Sequence, residues 1–353
     1  MKKILALVLA LCMVFALCAC GSKPAPADKP ADAPADAPAE APAEAPAGKT
    51  RIGMVTDVGG VNDQSFNQTS WEGLQQLDPA AFEVTYLESK TDADYQTNIN
   101  TFIDEGYDLI ICVGYMLADA TREAAESNPD QFFAIIDDAS IDLPNVACLM
   151  FAQEQASYLV GLVAGSVTES KTVGYVQGMV SDTMNLFGIG YIAGVLDVCP
   201  DATVLQYNAN SFTDIAGGST KAKEFVTQGA DVIYAAAGGT GSGVISACDE
   251  EGIWAIGVDT DQSILAPNAV ITSAMKRVDV ASQDISKAVA EGKFTAGIHM
   301  YDLSNGGVDL SPTRDHIPAE VLQVVEDAKA AIIAGEKTVP TTVADCPAFA
   351  LAG

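Results

Sequence analysis

Residues 51–77 read RIGMVT, DVGGVNDQS and FNQTSWEGLQQL in succession. The first six form a short apolar run, as in a strand buried on both faces. The next nine, with two glycines and several small polar residues, have the composition of a loop. The last twelve follow a helical pattern. In an open α/β sheet such a strand–loop–helix unit is the repeating element, and ligands bind just past its strand.

Outward from this unit the alternation continues. Arg51–Thr56, Phe82–Leu87, Leu109–Gly114, Phe132–Asp137 and Val146–Met150 read as strands, with helices over Phe66–Leu77, Asp94–Glu105 and Leu117–Ser127. A second round has strands Thr172–Gln177, Thr203–Tyr207, Asp231–Ala236, Trp254–Val258 and Val270–Ala274. Its helices are Glu154–Val167, Asn185–Cys199, Ser219–Gln228, Gly243–Glu251 and Val278–Glu291. A last helix, Pro318–Ala334, opens on proline and closes at Gly335. This alternation predicts an α/β protein of parallel sheets with right-handed crossovers. Two rounds predict two lobes, with the strand ends of both around one cleft. The chain is expected to leave the first lobe near Met150 and to return near Ser273.

The strand ends carry the candidate site. Asp57 and Asn67 flank the loop before Phe66, and Asn62, Asp63 or Ser65 is placed to cap the helix. Phe66 reads either as a hydrophobic staple or as a ligand wall. Asp137 and Asp138 follow a buried strand; neighbours on an extended chain face opposite sides, so one is expected in the cleft and the other in solvent. The run Gly238-Gly239-Thr240-Gly241-Ser242-Gly243 fits neither GxGxxG nor a P-loop. Its glycines, Gly239 among them, read as a place where backbone approaches a ligand or the other lobe. Asp259 and Lys276 each lie past a strand end, as a diol-binding pair or as a salt bridge at the lobe junction. Phe187 opens the second round much as Phe66 opens the first. Two such rings would clamp a flat ligand, and their alternative is core packing.

Charge narrows the function. The 353 residues hold 18 Lys and Arg against 47 Asp and Glu, a net charge of -29. Five basic and five acidic residues precede Thr50, so the whole imbalance sits on the part expected to fold. Nucleic-acid binding needs cationic side chains to neutralise phosphates, and an anionic substrate would be repelled. Two histidines exclude a multi-histidine metal site, and no cofactor or metal is expected.

The N-terminus reads as an address. Lys2 and Lys3 precede an apolar run, Ile4–Ala19, that ends Leu17-Cys18-Ala19-Cys20-Gly21-Ser22. This resembles a bacterial lipoprotein signal (1–19), with Cys20 lipidated; the alternative is a soluble secreted protein cleaved nearby. Residues 20–49 are an acidic Pro/Ala-rich tether. Roughly 28 extended residues at about 3.1 Å each reach on the order of 85 Å. Cys112, Cys148, Cys199, Cys248 and Cys346 follow it, without a CxxC or an even count that would suggest a disulfide framework.

Six stretches carry a family resemblance: TDVGGVNDQSFNQTSWEGL (56–74), FFAIIDD (132–138), AQEQASYLVGLVAG (152–165), AAGGTGSGVI (236–245), WAIGVDTDQ (254–262) and TSAMKRVDVA (272–281). Together they resemble the basic membrane protein family, the purine-nucleoside receptor lipoproteins of ABC-type importers. The resemblance implies a type I periplasmic-binding-protein fold, with two Rossmann-like lobes closing on one ligand. The first lobe would hold 50–150 plus about 273–295, and the second about 151–272 plus about 296–353. It implies a purine stacked between Phe66 and Phe187, with base and ribose contacts from Asp57, Asn67, Asp137, Asp259 and Lys276. It further implies a permease partner, a lipid anchor (hence palmitate) and a place on the extracytoplasmic face of a bacterial cell membrane. The long acidic tether and the glycine-rich Phe187-Gly188-Ile189-Gly190 depart from the family pattern.

Three other readings share these residues: the same fold holding a sugar or another neutral solute, a nucleoside-processing enzyme, and a surface interaction protein. An uncharged nucleoside fits the acidic body, because it is not repelled by it.

Overall fold

The computed structural model describes residues 48–351. The expected signal, Cys20 and the tether up to Ala47 lie outside the described residues. The first sheet holds β1 (Thr50–Val55), β2 (Phe82–Leu87), β3 (Leu109–Cys112), β4 (Phe132–Ile136) and β5 (Val146–Phe151), linked by α1 (Phe66–Gln75), α2 (Ala93–Asp104) and α3 (Ala118–Ser127). Then α4 (Gln153–Val167) leads into β6 (Thr172–Gln177), α5 (Asp182–Val198), β7 (Thr203–Asn208), α6 (Ile215–Thr227), β8 (Val232–Ala236), α7 (Gly238–Glu251), β9 (Trp254–Asp259) and β10 (Val270–Lys276). The chain closes with α8 (Val278–Ala290), β11 (Gly297–Tyr301), β12 (Val308–Leu310) and α9 (Ala319–Ile333).

The two sheets repeat one order. The first runs β11-β5-β4-β3-β1-β2 and the second β12-β10-β9-β8-β6-β7. The pairings are parallel except β12 against β10. The order reverses beside β1 and β6, and the crevice beyond the strand ends at that reversal is where open sheets bind ligands. Fully buried apolar strands such as Leu109–Cys112 and Val232–Ala236 need cover on both faces, which the crossover helices supply.

Three crossings join the lobes. The first follows Phe151. The second follows Lys276, slightly past the expected neighbourhood of Ser273, because β10 stays paired to β9 as far as Met275 and to β12 at Lys276. The third follows Tyr301, later than the expected boundary near residue 295, because β11 pairs in parallel with β5. That edge strand is short and leaves Ile298 and Met300 exposed, so it has little apolar pattern to read. Between the last two crossings α8 packs on α1, where the Oγ atoms of Ser70 and Ser282 are 2.8 Å apart. The crossing segments bond to one another, Ala152 N–H to Tyr301 O and Arg277 N–H to Gly307 O, each at 2.9 Å.

Helix α5 begins at Asp182, ahead of the expected Asn185, because the Ser181 side chain caps it by accepting from Met184 N–H. It meets α4 backbone to backbone. A Cβ on Gly190 would lie 2.2 Å from Glu154 O, and one on Gly194 2.2 Å from Tyr158 O. Gly190 and Gly194 thus set the depth of the helix that carries Phe187. Similarly α6 and α7 start earlier than expected. The glycine run forms the first turns of α7, and Gly243 fits against Ile215 O, which a Cβ would approach to 2.0 Å. Tertiary contact overrides the weak helix propensity of glycine there.

Candidate functional site

The cleft between the strand ends encloses about 550 Å³ of space, counted out to its mouth. Asp57, Phe66, Asn67, Asp137, Phe187, Asp259 and Lys276 all line it. Gly239 does not. Gly238, at the start of α7, takes that place, and both glycines pack beside the carbonyl of Phe212.

In the first lobe, Asp63 closes the loop before α1. Its carboxylate accepts from the backbone N–H groups of Ser65, Asn67 and Gln68, which satisfies donors a helix start leaves open. Both N–H bonds of the Asn67 amide are committed, to Asp57 Oδ1 at 2.7 Å and Asp63 Oδ2 at 3.0 Å. Its Oδ1 accepts from Asp57 N–H at 3.2 Å. Asn67 therefore positions Asp57, and its amide has no donor left for a ligand. Asp57 Oδ1 also accepts from Gly59 N–H, while Oδ2 lies beside Gly114. Gly114 has φ 111, and a Cβ there would stand 3.5 Å from both Asp57 Oδ2 and the Phe66 ring. Nothing but the end of an apolar run marked Gly114 in the sequence.

Asp137 and Asp259 occupy equivalent places, just past β4 and at the end of β9. Both are left-handed, with φ 68 and 65, a conformation that costs a non-glycine residue on the order of 1 kcal/mol and clusters at ligand sites. Each reaches across the cleft. Lys276 Nζ of the second lobe lies 2.5 Å from Asp137 Oδ2, and Ser65 Oγ of the first lobe donates to Asp259 Oδ2. The sequence had offered Lys276 and Asp259 as a pair, but the ammonium bonds Asp137. Among the described residues, Asp137 Oδ1 has no hydrogen-bond partner. Asp138 is less buried and accepts from Ser140, apart from the cleft.

The rings do not stand in matching positions. Phe66 is the first residue of α1 and is half-buried, whereas Phe187 lies more than a turn into α5 and is 4% exposed. Lys276 Nζ stands 5.0 Å from the Phe66 ring centre, 5.2 Å from Phe151 and 5.3 Å from Phe187, so three aromatic faces surround it. A further aromatic, Phe212, lines the cleft from the loop after β7. It leans on Gly178, where a Cβ would come within 2.3 Å of its ring. The sequence reading did not single it out, because it sits in a polar loop without periodicity.

Burial pushes the Asp57 and Asp259 carboxyls up to about 6, despite hydrogen bonds from Asn67 and Gly59 in one case and the nearby Lys276 and Ser65 in the other. Burial also raises Asp137, with Lys276 opposing it. The cleft is thus rich in acceptors, with a single ammonium among the described residues that line it. It suits a neutral ligand that brings O–H and N–H donors and a flat apolar face.

Comparison with known proteins places the chain among substrate-binding proteins. Residues 50–343 match the sequence model of the family described as ABC transporter substrate-binding protein PnrA-like. The ABC transporter nucleoside-binding protein BmpA of Lactococcus lactis is 39% identical over 312 residues, which cover 82% of this chain and 88% of that protein. The CD4+ T-cell-stimulating antigen of Listeria monocytogenes is also 39% identical, over 82% of this chain and 87% of that protein. Among solved structures, an ABC transporter solute-binding protein of Aeropyrum pernix superposes with a TM-score of 0.76 at 27% identity, covering 83% of this chain and 94% of that one. The architecture is the type I periplasmic-binding fold.

Proposed function

The chain belongs to the PnrA-like family of ABC transporter substrate-binding proteins, and from that premise we propose that its cleft captures a purine nucleoside for delivery to the permease of an ABC-type importer. The observation that carries the reading is the cross-cleft pair of Asp137 and Lys276, whose ammonium stands against the rings of Phe66 and Phe187, with Asp259 lining the same cleft. Asp259 and Lys276 face the ribose hydroxyls, one accepting and the other donating. The free oxygen of Asp57 accepts from the base edge, and Asn67 holds that carboxylate in place. Phe66 stacks on one side of the base, and Phe187 with Phe212 forms the other wall.

The protein acts by binding, not by catalysis. A ligand that touches both lobes favours the closed arrangement by its differential affinity for it. Among the described residues no helix is long and apolar enough to cross a membrane. Attachment would come from acyl chains on Cys20, with the body on the extracytoplasmic face. Palmitate labelling that persists in a Cys20→Ala protein would rule the anchor out.

The decisive test of the ligand is calorimetric titration of protein stripped by unfolding and refolding. Inosine, guanosine and adenosine are expected to bind, while ribose and uridine stay silent. Silence from every nucleoside and binding of ribose would move the function to a sugar.

A further inference from the structure

Gln262 lies just past β9 and is 2% exposed, although its side chain is a polar amide. Its Oε1 accepts from Val258 N–H at 2.9 Å in its own lobe. Its Nε2 donates across the cleft to the backbone carbonyl of Gln64, at 2.8 Å. Its own backbone N–H donates to Ser273 Oγ at 3.1 Å, so the residue is held at three points. Gly257 makes the room: a Cβ there would stand 2.8 Å from Gln262 Cβ and Oε1. On the other side Gln64 is left-handed, with φ 57, and the Asp63 carboxylate pins the next residues. Beside this contact, Ser65 Oγ donates to Asp259. Two consecutive first-lobe residues thus meet one second-lobe loop through polar bonds.

We propose that Gln262 is the clamp of the closed state, a positioning residue that sets how slowly ligand leaves. The proposal rests on the ligand-capture reading above. A bond that exists only when the lobes meet stabilises the closed complex and leaves encounter with the open form untouched, so it acts on dissociation and not on association. The buried amide makes the effect directional, because opening hands the Gln64 carbonyl back to water and strands no charge.

Gln262→Glu separates the two bonds. It keeps an acceptor for Val258 N–H and removes the donor to Gln64. Gln262→Met controls for the added charge. In the full-length protein, stopped-flow dissociation of inosine is expected to speed up about tenfold in both variants, with association within about twofold of wild type. Ser65→Ala should move the off-rate in the same direction. With inosine bound, small-angle scattering should show a larger radius of gyration for both Gln262 variants than for wild type. Off-rates and scattering profiles equal to wild type would overturn the clamp. If the wild-type protein binds no inosine, the nucleoside reading fails by itself. The clamp is then read at saturating ribose, the remaining probe: a wider Gln262→Glu particle with faster ribose release supports it, and identical profiles and off-rates reject it.

Discussion

The two lobes share a strand order but contribute opposite halves of the site. The first supplies most of the acceptors, with Asp57, Asp63 and Asp137 gathered at its strand ends beside one aromatic wall, Phe66. The second supplies the ammonium of Lys276, the apolar walls of Phe187 and Phe212, and one acceptor, Asp259. Asp137 and Asp259 make the contrast sharpest. They hold equivalent positions and the same left-handed backbone, yet one is bonded to an ammonium and the other to a hydroxyl. The repeated fold fixes where a side chain stands. What it meets is decided by the opposite lobe.

The largest break in this comparison is Lys276→Met. Asp137 then stays buried without its cation, a loss that typically costs about 3–5 kcal/mol. Urea unfolding of the ligand-free variant should show that drop, and nucleoside binding should vanish with it. Equal stability would mean that the cross-lobe pair carries no weight.

The second-lobe walls come next. Phe187 lies in the core, so Phe187→Ala should cost about 3–5 kcal/mol of stability as well as affinity. Phe212 is only partly buried at the cleft, so Phe212→Ala should weaken binding by about 1–2 kcal/mol, with much less effect on folding. Titration beside thermal melts separates the two. An affinity loss confined to Phe187 would leave Phe212 outside the wall.

A smaller effect should follow pH. Asp57 and Asp259 bind protons more tightly folded than unfolded, since burial lifts them to about 6. They therefore burden the native state above pH 6, and the burden fades as pH falls toward the ordinary carboxylate range. The melting temperature of the ligand-free protein should gain from these two groups between pH 7 and 5. Ligand donors need the ionised carboxylates, so the stabilisation by inosine should shrink over the same interval. In Asp259→Asn part of both trends should disappear.

The smallest effect is expected one residue from the site. Asp138→Asn alters a carboxylate that caps a local turn, and should change affinity and stability by less than about 0.5 kcal/mol. A large effect there would undo the contrast between the two neighbouring aspartates.

Most of the scaffold was legible because its causes are local. The runs at Leu109–Cys112 and Val232–Ala236 are continuous apolar stretches, and Ser181 and Asp63 sit where a helix start needs an acceptor. The short edge strands β11 and β12 were not, because β11 is half-exposed and β12 has only three residues, too few to leave a pattern. In the site, the identities of Asp57, Phe66, Asp137, Asp259 and Lys276 followed from their place past strand ends and from the family resemblance. Phe212, Gly114 and the positioning role of Asn67 did not.

By itself, then, the amino-acid sequence determined the alternation of strands and helices, the two rounds, the acidic body that repels anions, and the residues at the strand ends. Only the tertiary structure decided which of those residues bond. Lys276 and Asp137 are 139 residues apart, and Ser65 and Asp259 are 194 apart. Periodicity and capping act over one or two turns of chain, whereas these pairs form only when three crossings bring two sheets face to face.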